Sequence, residues 1–198
     1  MFYSYCILFF IFSFLGWVME VTLTLITDKK FVNRGFLLGP CCPIYGCGCL
    51  LLNLLLQNYV NNIIVLFILT MFTCSLLEYI TSFLMEKIFK LRWWDYSQMR
   101  FNINGRICLE TMTPFSILGV LAIKYATPFF ITNINKLSEK TILIISIILI
   151  TLFIIDVIIS LIIVFKLKLK RTLLQLVLFP VHELTSISNN KGKGVPGK

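Results

Sequence analysis

Histidine is nearly missing from this chain. A single one, His182, stands among 198 residues, so a histidine-based catalytic centre or zinc site lacks its usual ingredients. There is no G-x-x-x-x-G-K-[ST] loop, which excludes an ATPase within these residues. No nucleic-acid-binding motif occurs either, and no nucleophile pattern. Charge is scarce: charged residues make up 14% of the chain, and Asp and Glu number 9 against 18 Lys and Arg. Basic residues are also absent ahead of the first apolar run, which is too long for a signal peptide and has no small-residue cleavage site after it, so it is expected to remain as a span.

What fills the chain instead is apolar. Hydrophobic residues make up 58%, phenylalanine alone contributes 18 positions, and the mean hydropathy is +0.91. These values predict an all-α integral membrane bundle. Five apolar runs, near 2–26, 36–56, 63–85, 107–130 and 142–165, each approach the roughly 20 residues that cross a hydrocarbon core. All are expected to be helical, because lipid offers no partner to open backbone groups. The organisation expected is a transmembrane bundle over 1–165, a basic interfacial segment over 166–188 and a disordered tail over 189–198.

Lys and Arg fall unevenly when the spans are threaded alternately through a bilayer. The segment after the first run holds Lys29, Lys30 and Arg34, that after the third holds Lys87, Lys90, Arg92, Arg100 and Arg106, and the tail holds seven more; the other side has only Lys124, Lys136 and Lys140. The positive-inside rule then puts the N-terminus outside and the C-terminus in the cytoplasm. The formal charge of +9 is thus chiefly a topology signal, with anionic lipid rather than nucleic acid as its partner.

Four acidic residues interrupt the apolar runs: Glu20, Glu78, Glu110 and Asp156. A carboxylate inside a membrane is costly and normally faces a cavity or a partner. Glu20 lies nine residues before Lys29, Glu78 eight before Glu86, and Glu110 four after Arg106, which predicts a common depth in the cytoplasmic half for all three. Asp156, ten residues before Lys166, is expected about 15 Å in, near the midplane. Each carboxylate could equally serve to glue helices together.

The loops bring complementary groups to that level. Asn33, Arg34 and Gly35 lead to Gly39, Pro40 and Pro43; Arg92, Trp93, Trp94, Asp95, Tyr96 and Ser97 are followed by Asn102, Asn104, Gly105 and Arg106 and then Pro114. Pro43 and Pro114 cannot donate to the carbonyls four residues back, at Gly39 and Glu110, so both return spans are expected to expose a free acceptor. The shared order of an acidic span, an Asn/Gly/Arg loop and a proline-bearing return span suggests two parallel hairpin repeats, Glu20 to Pro43 and Glu78 to Pro114, with the fifth span an accessory. The candidate substrate-binding set is Glu20, Asn33, Arg34, Glu78, Asp95, Asn102, Asn104, Arg106 and Glu110, with Asp95 able to pair with Arg92 or Arg106.

These same residues carry a family resemblance: Gly16-Trp17 with Glu20, Asn33-Arg34-Gly35 through Gly39-Pro40, Pro43-Ile44-Tyr45-Gly46, Trp93-Trp94-Asp95-Tyr96-Ser97, and Asn102-Ile103-Asn104-Gly105-Arg106. The chain resembles the bacterial membrane family described as Putative ABC-transporter type IV over about residues 1–165. The resemblance implies a multi-span permease component of the bacterial cytoplasmic membrane, served by a separate ATPase subunit, and carries no catalytic residues. The coupling motif that many ABC importers present to their ATPase has no good match here, although the second cytoplasmic loop offers a docking surface.

Seven cysteines include the cluster Cys41, Cys42, Cys47 and Cys49. It sits among Gly35, Gly39, Gly46 and Gly48, where small-residue spacing predicts close packing of the second span, and no metal or cofactor is expected. Trp93 and Trp94 read as interfacial anchors. Three functions fit: a transport component, alone or as a homodimer, whose cytoplasmic-half cavity binds a polar or charged solute; an intramembrane enzyme using paired carboxylates on a lipid or prenyl substrate; or a non-transporting membrane adaptor.

Overall fold

In the computed structural model the backbone is described for residues 2–190 and side chains for 2–167, 169 and 170. Contacts divide the chain into Met1–Ser160 and Leu161–Lys198. The second unit continues, as far as Asn190, the helix that begins at Glu139. The tail expected to be disordered falls from residue 191 onward outside the described residues, as do the side chains of Lys168 and of Arg171 onward in the expected basic segment.

The first unit is built from helices α1 (Phe2–Asp28), α2 (Pro43–Leu56), α3 (Ile63–Phe89), α4 (Leu109–Leu121), α5 (Thr127–Ile134) and the start of α6 (Glu139–Asn190). A π-helical stretch at Ala122–Ala126 joins α4 to α5 into one continuous rod, as extra-residue bulges do inside membrane helices. Four helical stretches, Phe2–Asp28, Ile63–Phe89, Leu109–Ile134 and Glu139–Leu167, are long and apolar enough to cross a membrane. Most large side chains on them stay exposed, as expected where lipid is the solvent. Three apolar clusters tie the unit together: Leu52, Leu56, Leu66, Val120 and Ile123 between α2, α3 and the α4–α5 rod; Ile7, Ile134 and Ile142 between α1, α5 and α6; and Leu8, Phe12 and Cys49 between α1 and α2.

The second expected span departs from expectation. Residues 36–42 are not helical, and α2 has only 14 residues, about 21 Å against the roughly 30 Å of a hydrocarbon core. After α1 the chain turns at Lys29, in left-handed backbone with φ 52, and runs back along α1. Arg34 Nε donates to Thr24 Oγ1 at 2.9 Å, and Cys42 N donates to Ser13 O at 3.0 Å. Ser13 lies fifteen residues before the end of α1, about 22 Å down the helix. The second span is therefore part bent, non-helical chain and part helix.

The apolar pattern could not reveal this break, because Phe36, Leu37 and Leu38 are as greasy as any helix. What holds the non-helical half is polar. Asp156 of α6 accepts from Leu38 N at 3.0 Å and Gly39 N at 2.9 Å, and Ser160 Oγ donates to it at 3.2 Å. Asn33 Nδ2 closes the loop on Leu38 O at 2.7 Å. Irregular backbone at membrane depth persists only where its groups are satisfied within the protein, and Asp156 supplies that. α6, expected to be accessory, thus anchors the first loop.

Close packing of α2 comes from Gly46 rather than from the Gly35/Gly39 step, which is non-helical. A Cβ at Gly46 would strike Ser13 and Phe9 of α1, and one at Gly16 would overlap the Tyr45 ring. The second loop also has structure of its own: a short antiparallel hairpin, β1 (Asn102–Ile103) with β2 (Ile107–Cys108). Its turn is made by Asn104 and Gly105, both left-handed at φ 54 and 66, with Arg106 N donating to Ile103 O at 3.0 Å. Two successive positive φ values are the mark of a type I′ turn, for which Asn-Gly is the favoured pair.

Candidate functional site

Glu20 sits half-buried on the face of α1 that also carries Gly16 and Thr24, one turn to either side. Gly16 leaves room for the Tyr45 ring at the start of α2, whose hydroxyl donates to Glu20 Oε1. The half-length of α2 is what makes this contact: a helix running through 36–56 would not begin beside the middle of α1. Phe115 of α4 meets the Tyr45 ring edge-on at 6.0 Å.

Glu78 stands on α3 with Cys74 and Ser82 one turn away on each side. The second loop places Tyr96 beside it, near enough for the two side chains to interact. Tyr96 is aimed there by the hairpin, since Tyr96 N donates to Gly105 O at 2.8 Å and Trp94 Nε1 donates to Arg106 O at 3.0 Å. Glu20 lies close enough for its charge to act on both Glu78 and Tyr96. Two carboxylates and two phenols, from α1, α2, α3 and the second loop, therefore share one neighbourhood. Burial first, and then the Glu78 and Glu20 charges, push the Tyr96 phenol well above its ordinary pKa, so it remains a hydrogen-bond donor.

The arginines are committed beside these carboxylates. Arg34 bonds Thr24, four residues after Glu20, and Arg106 Nη1 bonds Ser82 Oγ, four residues after Glu78, at 3.1 Å. Arg106 also pairs with Glu86 at 2.8 Å, and Arg92 pairs with Glu86 at 3.2 Å and with Asp95 at 3.1 Å. Of the two partners open to Asp95, Arg92 is the one it meets. The Ser97 backbone N–H and hydroxyl, followed by the Arg92 guanidinium, hold the Asp95 carboxyl below its usual range. Gly105 is fixed by this cluster too, since a Cβ there would meet Asp95 Oδ1 and Arg92.

The remaining candidates divide. Asn33 is a loop brace, accepting from Trp17 Nε1 at 2.6 Å while it bonds Leu38 O. Asn102 bonds Met99 O at 2.7 Å and accepts from Gly105 N at 3.0 Å, and Asn104 Nδ2 donates to Tyr79 OH at 2.9 Å. Glu110, in the first turn of α4, is exposed and has no bonded partner among the described residues. Trp93 and Trp94, read as interfacial anchors, are half-buried: Trp93 packs on Phe89 and Phe36, with ring centroids 5.3 and 6.2 Å away, so the two loops touch.

Residue reading singled out the carboxylates but not Tyr45, Tyr96 or Glu86 as their surroundings. A signal for part of this was present: Asn33 precedes Pro43 by ten residues and Gly48 by fifteen, and Asn104 precedes Pro114 and Gly119 by the same intervals. Each hairpin also carries a Glu, a hydroxyl four residues later, an Arg bonded to that hydroxyl and a Tyr beside the Glu. The tyrosines occupy unequal places, Tyr45 on a helix and Tyr96 in a loop.

No curated protein and no solved structure matches this chain. Among protein families, the one described as "Putative ABC-transporter type IV" matches residues 7–161. With a match over most of its length, four helical stretches able to cross a membrane and a half-helix between two of them, the chain is a multi-pass membrane protein that belongs to that transporter family.

Proposed function

We propose that this chain is the membrane-embedded permease component of an ABC-type transporter, and that the pocket between its two hairpins, centred on Glu20, Glu78, Tyr45 and Tyr96, binds the transported polar or charged solute. One observation supports the reading: the Glu20 carboxylate on α1 bonds Tyr45 at the start of the short helix α2, and its charge acts on Glu78 of α3. Broken helices of this kind are what transporters use to bring polar groups to membrane depth. Arg34, Arg106, Asn33, Asn102, Asn104 and Asp95 then shape the pocket's walls and loops instead of contacting solute, and Glu110 stands outside it. The N-terminus faces outward and the two loops face the cytoplasm, where lysines and arginines concentrate. A separate ATPase subunit docks there and supplies the energy this chain has no loop to harvest. The transporter family disfavours the intramembrane-enzyme alternative.

The test is ATP turnover in reconstituted vesicles holding the chain with its ATPase. Glu20→Gln and Glu78→Gln are expected to insert and assemble as the parent does, while coupled turnover falls at least about ten-fold, some 1.4 kcal/mol of coupling. Variants that turn over normally, or that fail to insert at all, would refute the solute-site reading and leave the pair a structural one.

A further inference from the structure

We propose that the hairpin of the second cytoplasmic loop is a membrane wedge: Phe101 and Ile103 enter the inner leaflet, and Lys87 and Arg100 bind the phosphates of anionic phospholipid there. This surface lies apart from the solute site, and the inference does not rest on it.

Depth is the first argument. α3 has 27 residues, about 40 Å of helix against the roughly 30 Å of a hydrocarbon core. Even if all of the excess projects into the cytoplasm, only about the last seven residues of α3 lie outside the core. Ser82 stands seven residues before the end of α3, and Tyr79 stands ten before it. Arg106 Nη1 donates to Ser82 Oγ at 3.1 Å, and Asn104 Nδ2, in the hairpin turn, donates to Tyr79 OH at 2.9 Å. Helical side chains lean toward the N-terminus, which in α3 is the outer end, so these contacts draw the hairpin inward. Its turn lies at the boundary between head groups and acyl chains, or below it.

The residues exposed there suit that depth. Phe101 is 78% exposed and Ile103 53%. Phe101 also has left-handed backbone, φ 50, a conformation that favours Gly or Asn and penalises a bulky side chain. A phenylalanine at such a position serves something outside the fold, and at this level the neighbour is lipid.

Charge selects the kind of lipid. The carboxylates Glu86 and Asp95 are engaged by Arg92 and Arg106, whereas Lys87 and Arg100 are exposed and have no ion-pair partner among the described residues. Lys87 Nζ lies 5.8 Å over the Phe83 ring, which Arg106 also faces at 5.5 Å, so this free cation stands beside the hairpin; Arg100 adjoins Phe101 in the chain. An apolar tip flanked by unpaired cations matches an acidic leaflet. An acidic groove on a partner protein offers the same charges, but not at that depth.

The experiment is fluorescence quenching of a bimane label at Phe101→Cys, in the full-length protein with its native cysteines replaced, in nanodiscs with and without phosphatidylglycerol. Phe72→Cys, at a lipid-exposed position of α3, gives the acyl-chain reference. Lipids brominated on their acyl chains are expected to quench the Phe101 label within about two-fold of the Phe72 label, and aqueous iodide to quench it several-fold less than the free label. Phosphatidylglycerol is expected to raise the Tm of the parent, and Lys87→Gln with Arg100→Gln to lose at least about half of that rise. Iodide quenching equal to that of the free label would put the hairpin in water, open to a protein groove; shielding from iodide and brominated lipid alike would mean that a second copy covers it. Either result overturns the proposal, as does a Tm rise unchanged in the double variant. Should Phe101→Cys fail to fold, the same label at Ile103→Cys decides the outcome.

Discussion

Asp156 shows how one residue can be visible in a sequence while its role is not. A lone carboxylate in an apolar run is conspicuous, and its cost predicts a partner. The partners are the Leu38 and Gly39 backbone N–H groups, and backbone donors leave no mark in a sequence. Asp156→Ala is therefore expected to lower stability by about 1.5–3 kcal/mol, the scale of losing hydrogen bonds to a charged group, with Asp156→Asn costing less because one acceptor oxygen remains. Denaturant unfolding in detergent micelles checks the order. Tyr96 offers a second test through pH. Its phenol, raised by burial and by the Glu78 and Glu20 charges, keeps its proton in the folded protein above the ordinary value of 10.0, so its contribution is whole below pH about 10 and is lost as pH rises beyond it. Melting of the parent above pH 10 should consequently fall more steeply than that of Tyr96→Phe.

Among the elements, the helices were legible and the breaks were not. Hydrophobic runs of span length announced α1, α3, the α4–α5 rod and the first part of α6, because lipid selects for apolar surface all round a helix. The same uniformity hid the non-helical half of the second span, where Phe36 and Leu37 would suit a helix equally well. The second loop was legible in part. Asn104-Gly105 is a strong hairpin signal, but the ion-pair chain from Asp95 through Arg92 and Glu86 to Arg106 depends on which side chains the turn brings together. That chain is expected to fix the loop. Arg106→Ala removes the 2.8 Å pair with Glu86 and the Ser82 bond together, and trypsin cleavage after the exposed Arg100 should accelerate several-fold in intact vesicles, while cleavage unchanged from the parent would show that the hairpin holds itself. At the α1–α2 contact, Gly46→Leu drives a side chain into Ser13 and Phe9 and is expected to cost about 1–3 kcal/mol, measured as a fall in Tm.

At the scale of the whole molecule, the membrane class and the family were open to reading from composition and loop motifs, since bulk apolarity is a property of the entire chain. Which carboxylates share a neighbourhood was less so. Depth reckoned along each helix placed Glu20, Glu78 and Glu110 at one level, but depth says nothing about which way a side chain points around its helix. Glu110 is exposed with no bonded partner among the described residues, whereas Glu20 bonds Tyr45 and lies near enough for its charge to act on Glu78 and Tyr96. The account stands on that meeting of the two hairpins. Its most direct measurement is cross-linking in membranes with a short bifunctional thiol reagent, in a background with the native cysteines replaced, taking Glu20→Cys with Tyr45→Cys as the positive control. Glu20→Cys with Glu78→Cys should join as efficiently as that control, and Glu20→Cys with Glu110→Cys should not; a Glu20–Glu78 pair that stays unlinked while the control reacts would contradict the shared pocket.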